Sequence, residues 1–372
     1  MKLFQQSPQG LRDAQMLNAK VFCDATAPVR FPQSLNNAET WVFLEVGLDF
    51  FRKTHTNVVV SYVGEPFVTI HFVYFRETFI FDYLNSVVPV TMRLIVNADD
   101  LGYSAHRDEA IFDLFESGKV SSASLIVNGP TSVSAAQKAV SIGLPLGLHL
   151  NLTEGEPLTH NENLKEDGRM LYKLLFRHKA WLNLESFCRA VSGEVSAQLN
   201  RFHEITGNPV KHVDGHQHVH VAPNMPALLA PIFRAHGVLS VRIPEEWTEE
   251  YDWLDIPSKR HYGMRYIDAL NARLVYLHAG FKLNDHIVGM GMSGHAFTRA
   301  RLKNCLRDKV GIVELMIHPG KSCETVSHGL FTDSFDTDSG RAHEWAVLKA
   351  FDFSGPLVSW AGAFEPPIVP TP

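Results

Sequence analysis

Apolar and polar residues follow a regular order along the chain from Met92 onward. Short apolar runs, typical of buried strands, are separated by longer segments in which apolar residues recur at helical spacing. The runs predict strands at residues 93–98, 122–128, 146–151, 210–214, 238–243 and 312–317. The helical segments are residues 105–117, 131–142, 184–205 and 225–236. Glycines at positions 118, 143 and 207 follow the first three helices and are expected to stop them.

Strands that alternate with helices indicate βαβ units and a mostly parallel sheet, and therefore an α/β fold. The same order of elements continues from residue 93 to residue 317, which favours a (β/α)-barrel-like architecture, closed or distorted. A doubly wound open sheet is the alternative.

Residues 1–91 differ from the rest of the chain. They are rich in Phe, Val and Thr, with strand-like runs at Asn57–Tyr62 and at residues 66–74, but they show no strand–helix alternation and no cluster of reactive side chains. The sequence that begins at Met92 resembles the start of a protein. We therefore divide the chain into an N-terminal extension of unknown structure, residues 1–91, and a domain at residues 92–372. The extension is an appended segment, a disordered tail or an artefact of gene prediction, and the sequence does not choose among these.

Composition and charge narrow the range of functions that the chain can have. The 372 residues carry a net charge of −6, which argues against binding nucleic acid through a basic surface. The N-terminus lacks a signal-peptide pattern, and Arg76 and Glu77 interrupt the most apolar stretch before about 20 residues accumulate, so no membrane span is expected. Four scattered cysteines form no metal-binding pair and suggest no disulfide framework. We expect a cytoplasmic protein.

Polar clusters follow four of the predicted strands, at the edge where parallel α/β folds build active sites. The first cluster contains Asp99 and Asp100, directly after the first strand. Adjacent carboxylates repel each other unless a cation offsets their charge, so one is expected to bind a metal and the other to act as a base. A helix N-cap with a turn at Gly102 is the structural alternative, and it explains one aspartate better than two.

Histidines dominate the other three clusters. His149 lies on the strand face opposite three leucines and can therefore face a site, although, taken alone, a structural histidine explains it better. The segment 214–220 holds Asp214 and three histidines at positions 216, 218 and 220, which packing explains poorly, and Asp214 is suited to orient one of the rings. His318 ends the last strand and is followed by a proline. It is a candidate proton donor, and a structural role explains it equally well. Carboxylates and imidazoles without cysteine predict a metal site with open positions for water, as amide hydrolysis needs.

The four clusters, in this order, resemble the YdjC-like carbohydrate deacetylases, which include bacterial chitooligosaccharide deacetylases and a vertebrate member. The resemblance extends from Met92 to just beyond His318. It is strongest at residues 97–102, 122–129 (SASLIVNG), 147–153 and 214–220, and it is weak after Gly320.

The resemblance implies a barrel-like fold and metal-dependent removal of N-acetyl groups from amino sugars. It makes Asp99 the general base and Asp100, His149 and His216 the metal ligands; looser analogy with other polysaccharide deacetylases makes His318 the general acid. Magnesium is the implied ion, but magnesium prefers oxygen ligands, so zinc, manganese and cobalt stay open.

The expected partner is an acetylated oligosaccharide, a homodimer is allowed for, and neither nucleic acid nor a membrane is expected. Aromatic residues at positions 247, 251 and 253, within an acidic rim loop, are candidates for stacking on sugar rings or for ordinary packing. Two other functions stay open. A two-histidine, one-carboxylate site also serves non-haem iron oxygenases, but those typically have antiparallel β folds. The other alternative is a catalytically silent sugar-binding protein, against which the intact pair Asp99–Asp100 and His318 argue.

Overall fold

The computed structural model describes residues 91–322 and 339–365, together with the backbone of four strands within residues 1–90. It divides into two units, Met1–Val87 and Val88–Pro372. The strands described in the first unit are β1 (Ala19–Val21), β2 (Trp41–Val46), β3 (Asn57–Tyr62) and β4 (Val68–Val73). β1 pairs with β2 in parallel, and β2, β3 and β4 pair antiparallel.

The two strand-like runs expected in this unit correspond to β3 and β4. Most of residues 1–90 lies outside the described residues. The three interpretations of the N-terminal extension concern this part of the chain, so they stay predictions.

The second unit alternates strands and helices. Its strands are β5 (Met92–Leu101), β6 (Ser122–Leu125), β7 (Leu146–Leu150), β8 (Lys165–Glu166), β9 (Arg169–Met170), β10 (His212–Gly215), β11 (Ser240–Val241), β12 (His286–Val288) and β13 (Gly311–Ile317). Its helices are α1 (Ala105–Glu116), α2 (Ser132–Ile142), α3 (Lys173–Leu182), α4 (Glu185–Thr206), α5 (Met225–Ala235), α6 (Ile256–His278), α7 (Arg299–Leu306) and α8 (Gly340–Lys349). The helices expected at 105–117, 131–142, 184–205 and 225–236 are α1, α2, α4 and α5. The glycine stops at 118, 143 and 207 adopt the left-handed conformation.

Seven strands form one parallel sheet in the order β11-β10-β7-β6-β5-β13-β12. The two edges of this sheet approach each other at Lys282. Its N–H donates to the carbonyl of Leu239 and its carbonyl accepts from the N–H of Val241, both at 3.0 Å, and the Asn284 side chain bonds to both backbone groups of Ile243. The same stretch of chain continues into β12 on the opposite edge. The barrel-like prediction is therefore confirmed, in a distorted seven-stranded form.

The two faces of the barrel strands differ in character. Leu94, Val96 and Ala98 of β5 pack outward in the large apolar core that also contains residues of the helices. The alternate positions of the strands point inward, as the two-residue period of a strand requires. They form a buried polar layer of Asn97, Asp99, Ser124, His149, Asp214, Arg242 and Glu314. Below this layer the ring of His212 stacks on Trp360 at 3.7 Å between ring centroids. The barrel interior is thus polar near the carboxyl ends of the strands, where the site lies.

Some elements differ from the expectation. The strand expected at 238–243 is only the two-residue β11, and the one expected at 122–128 ends at Leu125. Helices α3, α6, α7 and α8 and the short strand β12 are additional. In the part of the chain that the structure describes, the helices fall short of the length and apolar character needed to cross a bilayer.

Candidate active site

A backbone irregularity at the end of β5 places Asp99 and Asp100 on the same side of the sheet. The pairing of β5 with β6 shifts register between Ala98 and Leu101, so the chain gains a residue there. Asp100 takes a left-handed φ of 66° and Gly102 one of 88°. Such a bulge re-aims a side chain that would otherwise face the opposite side. The bend expected at Leu101-Gly102 therefore begins at Asp100 itself.

Asp100 is buried among cationic and polar neighbours. Its Oδ1 lies 2.8 Å from His216 Nδ1 and 3.1 Å from His149 Nε2, and its Oδ2 accepts a hydrogen bond from Arg107 of α1. Burial raises the pKa of the Asp100 carboxyl, but Arg107, His216 and the hydrogen bonds from both histidines outweigh it, so the pKa lies well below the ordinary value. Asp100 is consequently ionised at neutral pH.

His149 is held from behind by a carboxylate. Its Nδ1 lies 2.7 Å from Asp214 Oδ1, and its Nε2 faces Asp100. Burial alone would lower the pKa of His149, but Asp214, Asp99 and the hydrogen bonds raise it to about 10. The expectation that His149 lies opposite the leucines of its strand is confirmed, since Leu148 and Leu150 pack in the outer core. Asp214 orients His149, whereas the sequence suggested that it orients a ring of its own cluster.

His216 lies between two carboxylates, Asp100 and Glu154. Its Nδ1 faces Asp100, and its Nε2 lies 3.3 Å from Glu154 Oε1, in the loop after β7. Burial lowers the pKa of His216, but Glu154 and Asp100 raise it to about 9. Gln217 and His218, which follow, have φ angles of 52° and 60°. Each left-handed non-glycine residue costs of order 1–2 kcal/mol, so this turn is strained.

The other two histidines of this cluster lie away from the three converging donors. His220 Nε2 donates to the carbonyl of Arg242 at 2.9 Å, and burial lowers its pKa to about 4. The close fit of His220 explains Gly215, because a side chain there would meet His220 Nδ1 at 2.5 Å. Burial likewise lowers the pKa of His218 well below its ordinary value. His220 therefore packs against the start of the turn that delivers His216.

The donor atoms of Asp100, His149 and His216 all lie within 4.8 Å of one another. Two ligands about 2.1 Å from one ion, at right angles, are roughly 3 Å apart, which matches the 2.8 and 3.1 Å that separate Asp100 Oδ1 from the two imidazoles. The raised pKa values of both histidines show an excess of negative charge around them. A divalent cation would balance that charge, so the donor set fits such an ion. A second such group, Asp99, His149 and Asp214, shares one histidine with the first.

Asp99 lies beside this group in an ion pair with Arg242. Arg242 Nη1 is 2.5 Å from Asp99 Oδ2 and Nη2 is 2.7 Å from Oδ1, which also accepts from Asn97 Nδ2 at 2.9 Å. The same guanidinium lies 3.0 Å from Asp214 Oδ2 and donates a hydrogen bond to Glu314 Oε1 at 2.5 Å. Burial raises the pKa of Glu314 to about 7, although Arg242 opposes the rise. Arg242 thus connects Asp99 to the carboxylate that holds His149.

His318 lies at the end of β13, next to Asp99. Its Nε2 is 3.8 Å from Asp99 Oδ2, and its backbone N–H donates to Glu344 Oε1 at 2.7 Å. Burial lowers the pKa of His318, while Asp99, Asp100 and Glu344 oppose the drop. The structure therefore brings all five residues singled out from the sequence, Asp99, Asp100, His149, His216 and His318, to one end of the barrel.

Sequence reasoning missed three polar residues of the site: Arg107, Glu154 and Arg242. Arg242 gives a usable signal, because an arginine within a buried apolar strand needs anionic partners. Arg107 and Glu154 lie in a helix and a loop where charged residues are ordinary, and nothing in the sequence distinguishes them.

The rim loop at residues 245–255 has both exposed and packed aromatic side chains. Trp247 is 51% exposed. Tyr251 and Trp253 stack on each other at 4.4 Å, and Trp253 Nε1 donates to the carbonyl of Gly291. Glu246 anchors this loop by accepting from the Tyr251 hydroxyl and from the N–H groups of Gly289 and Gly291. Trp247 therefore remains a candidate for sugar stacking, and the other two serve packing.

Comparison with known proteins places this arrangement in context. The family model described as YdjC-like protein matches residues 93–355. The chain is 36% identical over 275 residues to a mouse protein named carbohydrate deacetylase, which covers 70% of this chain and 88% of the mouse protein. It is 35% identical over 156 residues to the chitooligosaccharide deacetylase of Serratia marcescens, covering 41% of this chain and 60% of the bacterial one.

Among solved structures, a proposed cellobiose-phosphate cleavage protein of Enterococcus faecalis superposes with a TM-score of 0.51 at 19% identity. The match covers 70% of this chain and 91% of that one. At this level of identity the likeness concerns the fold alone.

Proposed function

The chain belongs to the YdjC-like family, and from this premise we propose that it is a hydrolase that releases acetate from N-acetylated amino sugars. The observation that carries the proposal is the convergence of Asp100, His149 and His216 beside the neighbouring pair Asp99 and His318. Such a site offers cation ligands, a base and an acid within one cluster of side chains. The named activities of the mouse and Serratia relatives supply the substrate class.

We assign Asp100, His149 and His216 as the ligands of a divalent cation. Its chemistry when bound would be to lower the pKa of a water molecule and to polarise the acetyl carbonyl. Family resemblance suggests magnesium, whereas two imidazoles in the donor set suit zinc, manganese or cobalt better.

Asp99 is assigned as the general base, and its Oδ2 is the better placed atom. Oδ1 already accepts from Arg242 and Asn97, whereas Oδ2 accepts from Arg242 and faces His318. Arg242 pairs with the negative charge of this buried carboxylate through two hydrogen bonds and fixes its plane. Asp99 would take a proton from the attacking water, and the C–N bond of the amide would then break.

His318 is assigned as the general acid. The departing nitrogen needs a proton to leave as an amine, and His318 lies at the mouth of the site, with its side chain 15% exposed. With Asp99 taking one proton from the water and protonated His318 giving one to the nitrogen, amide and water would become acetic acid and amine. The acid would then lose its proton to solvent as acetate, and proton transfer from Asp99 to His318 would restore both groups. Burial lowers the pKa of His318, although the neighbouring aspartates oppose the drop, so the imidazole must take up a proton before it can act as the acid.

The test is acetate release from a panel of N-acetylated oligosaccharides, supplied in turn with Mg²⁺, Mn²⁺, Co²⁺ and Zn²⁺. We expect release from at least one acetylated amino sugar and none from its deacetylated form. Binding of the sugars without acetate release, with every metal, would indicate a sugar-binding protein instead. Oxygen consumption with Fe²⁺ would indicate an oxygenase.

A further inference from the structure

Glu154 lies in the loop after β7 and contacts the segment that carries His216. Its Oε1 is 3.3 Å from His216 Nε2 and accepts a hydrogen bond from Gln217 Nε2 at 2.7 Å. The side chain is 14% exposed, so both contacts are largely shielded from water. One carboxylate thereby holds two successive side chains.

Those two side chains belong to a strained turn. β10 ends at Gly215, and His216 is followed by Gln217 and His218, both in the left-handed conformation. Non-glycine residues persist in that conformation when surrounding contacts hold them there. The bond from Gln217 to Glu154 is such a contact, so Glu154 secures the turn as well as the ring.

The two histidines of the proposed cation site are held in equivalent ways. Asp214 contacts Nδ1 of His149, which leaves Nε2 towards Asp100. Glu154 contacts Nε2 of His216, which leaves Nδ1 towards Asp100. Within residues 91–322 and 339–365, the groups of donors close enough to share an ion do not include Glu154. Glu154 therefore lies behind His216, where it can orient the ring.

We propose that Glu154 is a positioning residue that fixes the ring of His216 for cation binding and clamps the turn that delivers it. This inference rests on the proposed function, because it takes His216 to be a cation ligand. A carboxylate on the far nitrogen of a ligating imidazole sets its tautomer and orientation, and loss of such a partner typically weakens metal affinity about 10–100-fold. Glu154→Ala should show a loss of this size. Glu154→Gln, which keeps the shape and a weaker hydrogen bond, should lose less.

Glu156 provides a matched control, because it lies two positions further in the same loop with an exposed side chain. Glu156→Ala removes the same group at a point remote from His216 and should leave affinity unchanged. Co²⁺ is a suitable probe, since its visible absorption reports the ligands around the ion. The measurement is a Co²⁺ titration of the metal-free full chain and the three variants, with thermal unfolding of each metal-free protein.

Weaker Co²⁺ binding by Glu154→Ala, partial recovery in Glu154→Gln and an unchanged Glu156→Ala would support the inference. Wild-type Co²⁺ affinity in Glu154→Ala would overturn it, and if the KM for substrate rose at the same time, Glu154 would be a substrate contact instead. If Glu154→Ala does not fold, the affinity of Glu154→Gln decides in the same way. A wild-type chain that fails to bind Co²⁺ would refute the proposed cation site itself, and thus the proposed function.

Discussion

At the level of single residues, the site depends on cationic partners that balance the charge of two adjacent carboxylates inside a barrel. Asp100 is compensated by Arg107 and the two histidines, and Asp99 by Arg242. Because each aspartate has its own cationic partners, they can carry different tasks although they are neighbours in sequence.

The adjacent carboxylates and the histidine-rich segment pointed to this chemistry from sequence alone. Arg242 and Glu154 were not identified because their importance depends on which distant residues they meet: Arg242 contacts Asp99 across the barrel, and Glu154 contacts His216 from another loop.

Changing each aspartate to asparagine should have different effects on metal binding and on the rate of acetate release. Asp100→Asn removes the charge of a proposed ligand, so metal affinity and acetate release should fall together. Asp99→Asn keeps the shape but cannot take up the water proton, so metal should stay bound while the rate falls about 10²–10⁴-fold. His318→Ala should also retain metal. Bound metal and acetate release are measured on the same samples. Loss of metal from Asp99→Asn with retention in Asp100→Asn would reverse the two roles.

At the scale of elements, the site depends on close backbone contacts behind the β5 bend. A Cβ on Gly129 would meet the carbonyl oxygen of Gly102 at 2.1 Å, so Gly129 must lack a side chain for the bend to stand where it does.

The apolar periodicity predicted α1, α2, α4 and α5, but not α6. The buried stripe of α6 consists of Arg265, Ala269, Ala272 and Tyr276, which gives little contrast between its faces. Strand β12 has three residues, too few to show a period.

Gly129→Ala should therefore destabilise the protein by about 1–3 kcal/mol and weaken metal binding, because the clash pushes the bend that carries Asp99 and Asp100. Gly193→Ala is the matched control. Gly193 lies on the exposed face of α4 with open space around its Cα, so alanine should stabilise the protein by about 0.5–1 kcal/mol without affecting metal binding. Urea unfolding and metal titration check both. Equal stability of the two variants would show that the Gly102–Gly129 approach does not matter.

At the scale of the whole molecule, every described residue of the site lies in the unit that begins at Val88. The regular alternation predicted a parallel barrel-like fold, since each strand and helix repeats the same pattern. Closure at Lys282 was not predictable, because a single backbone bridge and one asparagine side chain make it. The sequence change at Met92 nearly coincides with the start of this unit.

A chain shortened to begin at Met92 should fold and bind metal as the full chain does, because β5 starts there and carries two of the site residues. Circular dichroism, thermal unfolding and metal titration of the two chains are the measurements. If the shortened chain is insoluble, or loses its metal while the full chain keeps it, residues 1–91 contribute to the domain and the proposed boundary is wrong.

If Asp100, His149 and His216 hold the catalytic cation, amide hydrolysis should require that cation. The most direct test strips the protein with a chelator and adds one divalent metal back in steps, while bound metal and acetate release are followed together. We expect no acetate release from the stripped protein, and a rise in proportion to bound metal that levels off at one ion per chain. Undiminished acetate release from the metal-free protein would contradict it.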